Sequence, residues 1–130
     1  KVFLMVAGAA IQKFGTELDQ HQQLLMAAAN ILNEVYMAES TILRAEKNAK
    51  RFGEDTQDGQ IAMAKLYLYN AVEIVTQNGK EGIISFAEGD EQRMMLMGLK
   101  RFTKYTNYPN VIALRNEIAE KLKAANKYCF

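Results

Sequence analysis

The sequence has one cysteine, one proline, one histidine and no tryptophan in 130 residues. A single cysteine excludes an intrachain disulfide and cysteine-rich zinc sites. An excess of one charge sign is also missing: 16 Lys+Arg stand against 15 Asp+Glu, a formal net charge of +1. That balance speaks against nucleic-acid binding, which usually needs a strongly basic face. The apolar opening stretch without a charged residue, Val2 to Gln12, contains Gly8 and is too short to cross a bilayer. A secretory signal would combine basic residues, an apolar run and a small-residue cleavage site, whereas this run opens the chain and flows into Lys13 and Phe14. The chain begins with Lys rather than Met and reads as a processed or excised piece of something longer. What is abundant is apolar material, 49% of positions. That content argues against disorder, and a chain this long can bury about two-thirds of its unfolded surface in one core. The expectation is one domain over residues 1–130.

Helical periodicity dominates. Val2, Phe3, Val6, Ala9, Ala10 and Phe14 recur at three- and four-residue steps, and Gly15 is placed to end that helix. Thr16 and Asp19 have capping-box spacing, so a second helix is expected to start there and run to about Phe52. Within it Leu24, Ala28, Ile31, Val35, Ala38, Ile42, Ala45, Ala49 and Phe52 keep a 3.5-residue period, a seam for near-antiparallel neighbours. Leu25, Leu32, Tyr36 and Leu43 widen that stripe towards a further neighbour.

The polar loop from Gly53 to Gly59 offers Thr56 and Asp58 as caps for a third helix. Ile61, Ala64, Leu68, Ala71, Val72 and Val75 form its core face, flanked by Tyr67 and Tyr69. Gly79 and Gly82 favour a break at about 1 kcal/mol each. The apolar pattern nevertheless resumes at Ile83, Ile84, Phe86 and Ala87, so one long helix ending near Gly89 is expected. Asp90 can cap a fourth helix reaching about Lys104, and Pro109 suits the first turn of a fifth that fades near Asn126. No strand-like alternation occurs. The fold class is all-α: an antiparallel up-and-down helical bundle of four to five helices, two of them long.

Catalytic and metal chemistry finds little support. His21, among Gln20, Gln22 and Gln23, reads as a solvated side chain, and a di-iron Glu-x-x-His pattern fails because position 18 is leucine. Any Ser-His or Cys-His nucleophile would need this same histidine, and Cys129 is the penultimate residue. Glu54, Asp55 and Asp58 lack the alternating spacing of a calcium loop and read as a solvated connection. Neither phosphate-cradling glycine motif is present. No catalytic, cofactor-binding or metal-ligating residue is therefore assigned.

Charge is unevenly distributed. Residues 91–130 hold 8 Lys/Arg and 3 Asp/Glu, residues 1–90 hold 8 and 12. Arg93, Lys100, Arg101 and Lys104 accompany Met94, Met95, Leu96, Met97, Leu99 and Phe102. That basic amphipathic pattern can lie on an anionic membrane or in a partner groove. The plainer reading is a core helix with a solvated basic edge, its methionines filling an irregular core.

Particular strings add a resemblance. Ala38-Glu39-Ser40-Thr41-Ile42-Leu43-Arg44-Ala45-Glu46, the stretch Lys65–Ala71 and Gly82–Asp90 resemble the C-terminal region of bacterial acyl-CoA dehydrogenases related to the very-long-chain type. The ending from Lys100-Arg101-Phe102 to Tyr128-Cys129-Phe130 resembles that family's extreme C-terminus. The resemblance implies a non-catalytic helical domain of an FAD-dependent oxidoreductase that forms the trans-2,3 double bond of an acyl-CoA in fatty-acid β-oxidation. In that family a glutamate takes the α-proton and flavin the β-hydride, in a core upstream of this region. No residue here matches those positions, and neither Glu73 nor Glu88 has a motif that would make it the base.

The partners so implied are the dehydrogenase core, a second copy in a homodimer, acyl-CoA for the whole enzyme and peripheral membrane contact through 93–104, in the cytoplasm. No FAD is expected on this stretch itself. The competing expectation is a stand-alone interaction module that binds a membrane surface or acidic partner through the same basic helix.

Overall fold

In the computed structural model, which describes residues 1–53 and 58–130, the chain forms five α-helices. They are α1 Val2–Phe14, α2 Gln22–Phe52, α3 Asp58–Phe86, α4 Gly89–Phe102 and α5 Val111–Ala125, with a 3₁₀ segment at Gly15–Gln20. No strand occurs among the described residues. The chain divides into two compact units, Lys1–Val35 with Val72–Thr106 and Tyr36–Ala71 with Asn107–Phe130, so that α2 and α3 contribute to both.

The first unit holds a core of Val2, Val6, Ala10, Leu24, Ile31, Ile83, Phe86, Ala87, Met95 and Leu99. The three- and four-residue steps in α1 put Val2, Val6 and Ala10 on one buried face. Gly15 stops α1 at φ 53°, and its N–H donates to the Ile11 carbonyl. The Lys13 ammonium donates to the Phe86 carbonyl, tying α1 to the end of α3.

Gly79 and Gly82 lie inside α3, which ends at Phe86 rather than near Gly89. The reason α3 does not break at them is packing. A Cβ at Gly79 would lie 2.8 Å from Leu99 and 3.0 Å from Val2, and one at Gly82 would lie 3.0 Å from Val6. The glycines let α1 and α4 approach the α3 backbone, which offsets their poor helix propensity. Here α2 and α3 run antiparallel: Leu24 lies beside Gly82, and Asn30 donates to Asn78 at 3.0 Å.

Several helix starts differ from the expectation. Thr16 and Asp19 lie in the 3₁₀ segment and make no capping box; α2 begins at Gln22. Asp90 sits inside the first turn of α4, whose cap is the extended residue Glu88, and α4 stops at Phe102, where Thr103 donates to the Leu99 carbonyl. Pro109 precedes α5 rather than opening it. Asn110 is the cap, its side-chain oxygen accepting from Ala113 N–H at 3.1 Å. At α2 and α4 the carbonyls of His21 and Glu88 accept from Leu25 and Gln92 N–H, whereas at α5 a side chain caps the free N–H groups. Thr56, expected as a cap, lies with Glu54 and Asp55 outside the described residues; Asp58 is the first residue of α3.

The second unit has a different core. Its buried apolar side chains are all alanines: Ala38, Ala45, Ala62, Ala64 and Ala71. Asn48 donates to Gln60 at 2.8 Å, again between antiparallel α2 and α3. The Phe130 ring lies where a Cβ on Gly59 would be, 2.4 Å from that position, beside Lys121, and it meets Tyr128 edge-on. The large apolar residues Ile42 and Ile61 are only half-buried, and α5 buries no residue.

Candidate docking surfaces

Three surfaces carry what the chain can do. The first is an apolar groove in the first unit, about 340 Å³, whose walls come from α1 and α2. Ala7, Ile11, Leu18, Leu25, Ala29 and Leu32 are among its lining side chains, and none of the lining residues is charged. Ile11, Leu25 and Leu32 are exposed, as is Leu4 on the same side of α1, at 72%. The expectation that Leu25, Leu32, Tyr36 and Leu43 pack against a further neighbour within the chain is therefore corrected. All four are exposed, as are the seam positions Val35 and Phe52. The 3.5-residue period marks a face built for packing but does not say who supplies the partner.

The second surface is the outer face of α4. Met95 and Leu99 are buried in the first unit. On the opposite side Arg93, Lys100 and Arg101 are exposed, together with Met94 at 65% and Met97 at 59%. At 100° per residue these positions share one side of the helix. Lys104 is also exposed and follows just beyond the helix end. Arg93 pairs with Asp90 at 3.6 Å, both side chains being highly exposed. Of the methionines in α4, only Met95 serves the core.

The third surface is a groove of about 560 Å³ in the second unit. Ile42, Ala45 and Ala49 of α2 and Ile61, Ala64 and Leu68 of α3 form its floor, with Glu46, Lys50 and Lys65 at its rim.

His21 is not the solvated side chain expected. Its ring stacks on Phe14, with centroids 3.7 Å apart, and its carbonyl accepts from Leu25 N–H. Cys129 is exposed, its thiol 3.7 Å from the Lys121 carbonyl. Glu73 and Glu88 are exposed and far from resembling an enclosed base. Among the described residues no three His, Cys, Asp or Glu side chains are grouped to hold a metal ion. Nor, among them, is any helix long and apolar enough to cross a membrane.

A flavin dinucleotide needs a polar cradle for its pyrophosphate. The residues described do not fit one. The side chains they bury are apolar, and the start of α4 carries Asp90 and Glu91, which would repel an anion.

Residues 1–101 match the family described as acyl-CoA dehydrogenase, C-terminal domain. The chain is 34% identical over 128 residues to a probable acyl-CoA dehydrogenase of Bacillus subtilis (strain 168), a match covering 98% of this chain and 21% of that protein. It also resembles the crystal structure of an acyl-CoA dehydrogenase complexed with FAD from Bacillus anthracis. That likeness has a TM-score of 0.94 at 35% identity and covers 99% of this chain and 22% of the other. The chain thus spans about a fifth of the length of these relatives. With the family model matching well over half of its residues, the chain belongs to the family of acyl-CoA dehydrogenase C-terminal domains.

Proposed function

We propose that residues 1–130 are the non-catalytic helical C-terminal domain of an FAD-dependent acyl-CoA dehydrogenase of fatty-acid β-oxidation, related to the very-long-chain type. The observation that carries this reading is the TM-score of 0.94 to a fifth of an FAD-complexed acyl-CoA dehydrogenase. The base that takes the α-proton and the residues that hold flavin then lie in the rest of the polypeptide. This domain's contribution is packing. The uncharged groove between α1 and α2 suits a permanent contact with the dehydrogenase core, since obligate interfaces resemble a domain core cut in half. The whole enzyme is cytoplasmic and homodimeric, and its substrate is an acyl-CoA.

The test compares the full-length polypeptide with these 130 residues alone. Full-length protein is expected to retain flavin and to oxidise long-chain acyl-CoA with an artificial electron acceptor, whereas the 130 residues alone turn over none. A full-length protein with neither flavin nor acyl-CoA oxidation would end this reading.

The outer face of α4 favours a peripheral membrane contact, whether within the enzyme or in a stand-alone module. Exposed Met94 and Met97 can enter the acyl boundary while Arg93, Lys100, Arg101 and Lys104 meet anionic headgroups. Sedimentation with phosphatidylglycerol vesicles at low salt checks it. Binding should disappear when the four basic residues are changed to glutamate, and failure of the unaltered protein to sediment would remove this contact.

A further inference from the structure

Helix α5 stays on its unit without a buried anchor of its own. Val111, Leu114 and Ile118 recur at helical spacing, yet each is only half-buried and no residue of the helix is fully enclosed. The segment that follows supplies the hold. Asn126 ends α5 in the left-handed conformation, φ 49° and ψ 27°, and the chain after it turns back. The Cys129 thiol lies 3.7 Å from the Lys121 carbonyl, so the returning segment runs beside the last turns of the helix it has just left.

Phe130 then reaches α3. Its ring fills the place that a Cβ on Gly59 would take, with Cδ1 2.7 Å from that position and Lys121 Cδ at 3.2 Å. Gly59 is the second residue of α3 and is buried under this cover. Its φ is not among the positive ones, so the glycine is there for space and not for backbone shape. Any larger residue would push the ring off the helix. Tyr128 meets Phe130 edge-on, and both stand in the wall of a cavity of about 330 Å³ whose other sides include Met37, Thr41 and Arg44 of α2 and Met63 of α3. Three residues thus stand where α5, α3 and α2 come together within the second unit.

We infer that Tyr128–Phe130 form a latch. The Phe130 ring seated on Gly59 holds α5 against the α2–α3 pair, and its release lets α5 open while α2 and α3 stay folded. Separate opening follows from burial, because an element with few enclosed apolar groups opens locally at a fraction of the global unfolding free energy. Release also removes one wall of the cavity over Met37 and Met63. The latch is a property of the second unit and does not depend on the role proposed above.

The experiment measures amide hydrogen exchange by mass spectrometry on the full-length polypeptide, under conditions where protection reports the opening equilibrium. Phe130→Ala should speed exchange across Val111–Ala125 about tenfold, as expected for loss of one half-buried ring, with Val2–Phe14 unchanged. Gly59→Ala should do the same by expelling the ring. The double variant should be no worse than Phe130→Ala alone, because with the ring gone the new methyl meets only the flexible Lys121 side chain and alanine favours the helix. Unaltered protection of α5 in Phe130→Ala would overturn the latch by showing that something else holds the helix. Additive losses in the double variant would overturn it too, since Gly59 would then act apart from the ring. Equal loosening of Val2–Phe14 would do so as well, because the ring would then support the whole domain.

Discussion

At the residue scale, two helical glycines carry opposite meanings. Gly8 in α1 has nothing within 4 Å of where a Cβ would stand, whereas Gly79 has Leu99 and Val2 at 2.8 and 3.0 Å. Gly8→Ala should therefore stabilise the protein by about 0.8–1 kcal/mol through helix propensity. Gly79→Ala should destabilise it, since overpacking costs about 1–3 kcal/mol against that same gain. Thermal melts of the two variants, moving in opposite directions, check the argument. His21 makes a similar point. From sequence its removal looks harmless, but the ring stacks on Phe14, which in turn meets Phe86 edge-on. His21→Ala should lower stability by about 0.5–1.5 kcal/mol, the range for such ring pairs, with activity of the whole enzyme unaffected.

At the element scale, the number and type of helices were legible because period and length coincide over long stretches. The steps of α1 and the seam of α2 each extend beyond two turns. Their starts were less legible. A cap depends on which backbone N–H groups lie free, so Thr16 and Asp90 match a sequence pattern while Gln22 and Glu88 occupy the actual starts. Exposure was least legible. Ile31 and Ile42 belong to one seam, yet Ile31 is 1% exposed while Ile42 lines an open groove. Periodicity places both on the same stripe, and only the neighbours decide which is enclosed. Ile31→Asp should unfold the first unit, an unpaired buried charge costing several kcal/mol against a typical total stability of about 5–15. Ile42→Asp, whose carboxylate can reach water from the open groove, should melt close to the parent protein. Circular dichroism melts separate the two.

At the scale of the whole molecule, a helical domain that exposes Leu4, Ile11, Leu25 and Leu32 in one unit has spent apolar surface where water is the alternative neighbour. If the rest of the full-length polypeptide proposed above covers the α1–α2 groove, charges placed there become buried in the full-length protein and must be desolvated without a partner. Ile11→Asp and Leu25→Asp should then lower the melting temperature of the full-length enzyme by several degrees and loosen the domain towards proteolysis. Ile112→Asp is the matched control: this residue is 71% exposed on α5, lies outside the groove, and should melt like the parent. Leu25→Asp against Ile112→Asp is the cleaner pair, because both positions lie near a helix start, whereas Ile11 lies in the last turn of α1, where the helix dipole disfavours a carboxylate. Equal melting of the groove variants and the control would show that the α1–α2 face stays in water and that the core docks elsewhere. A drop confined to the groove variants would locate the contact between this domain and the rest of the polypeptide on the α1–α2 face.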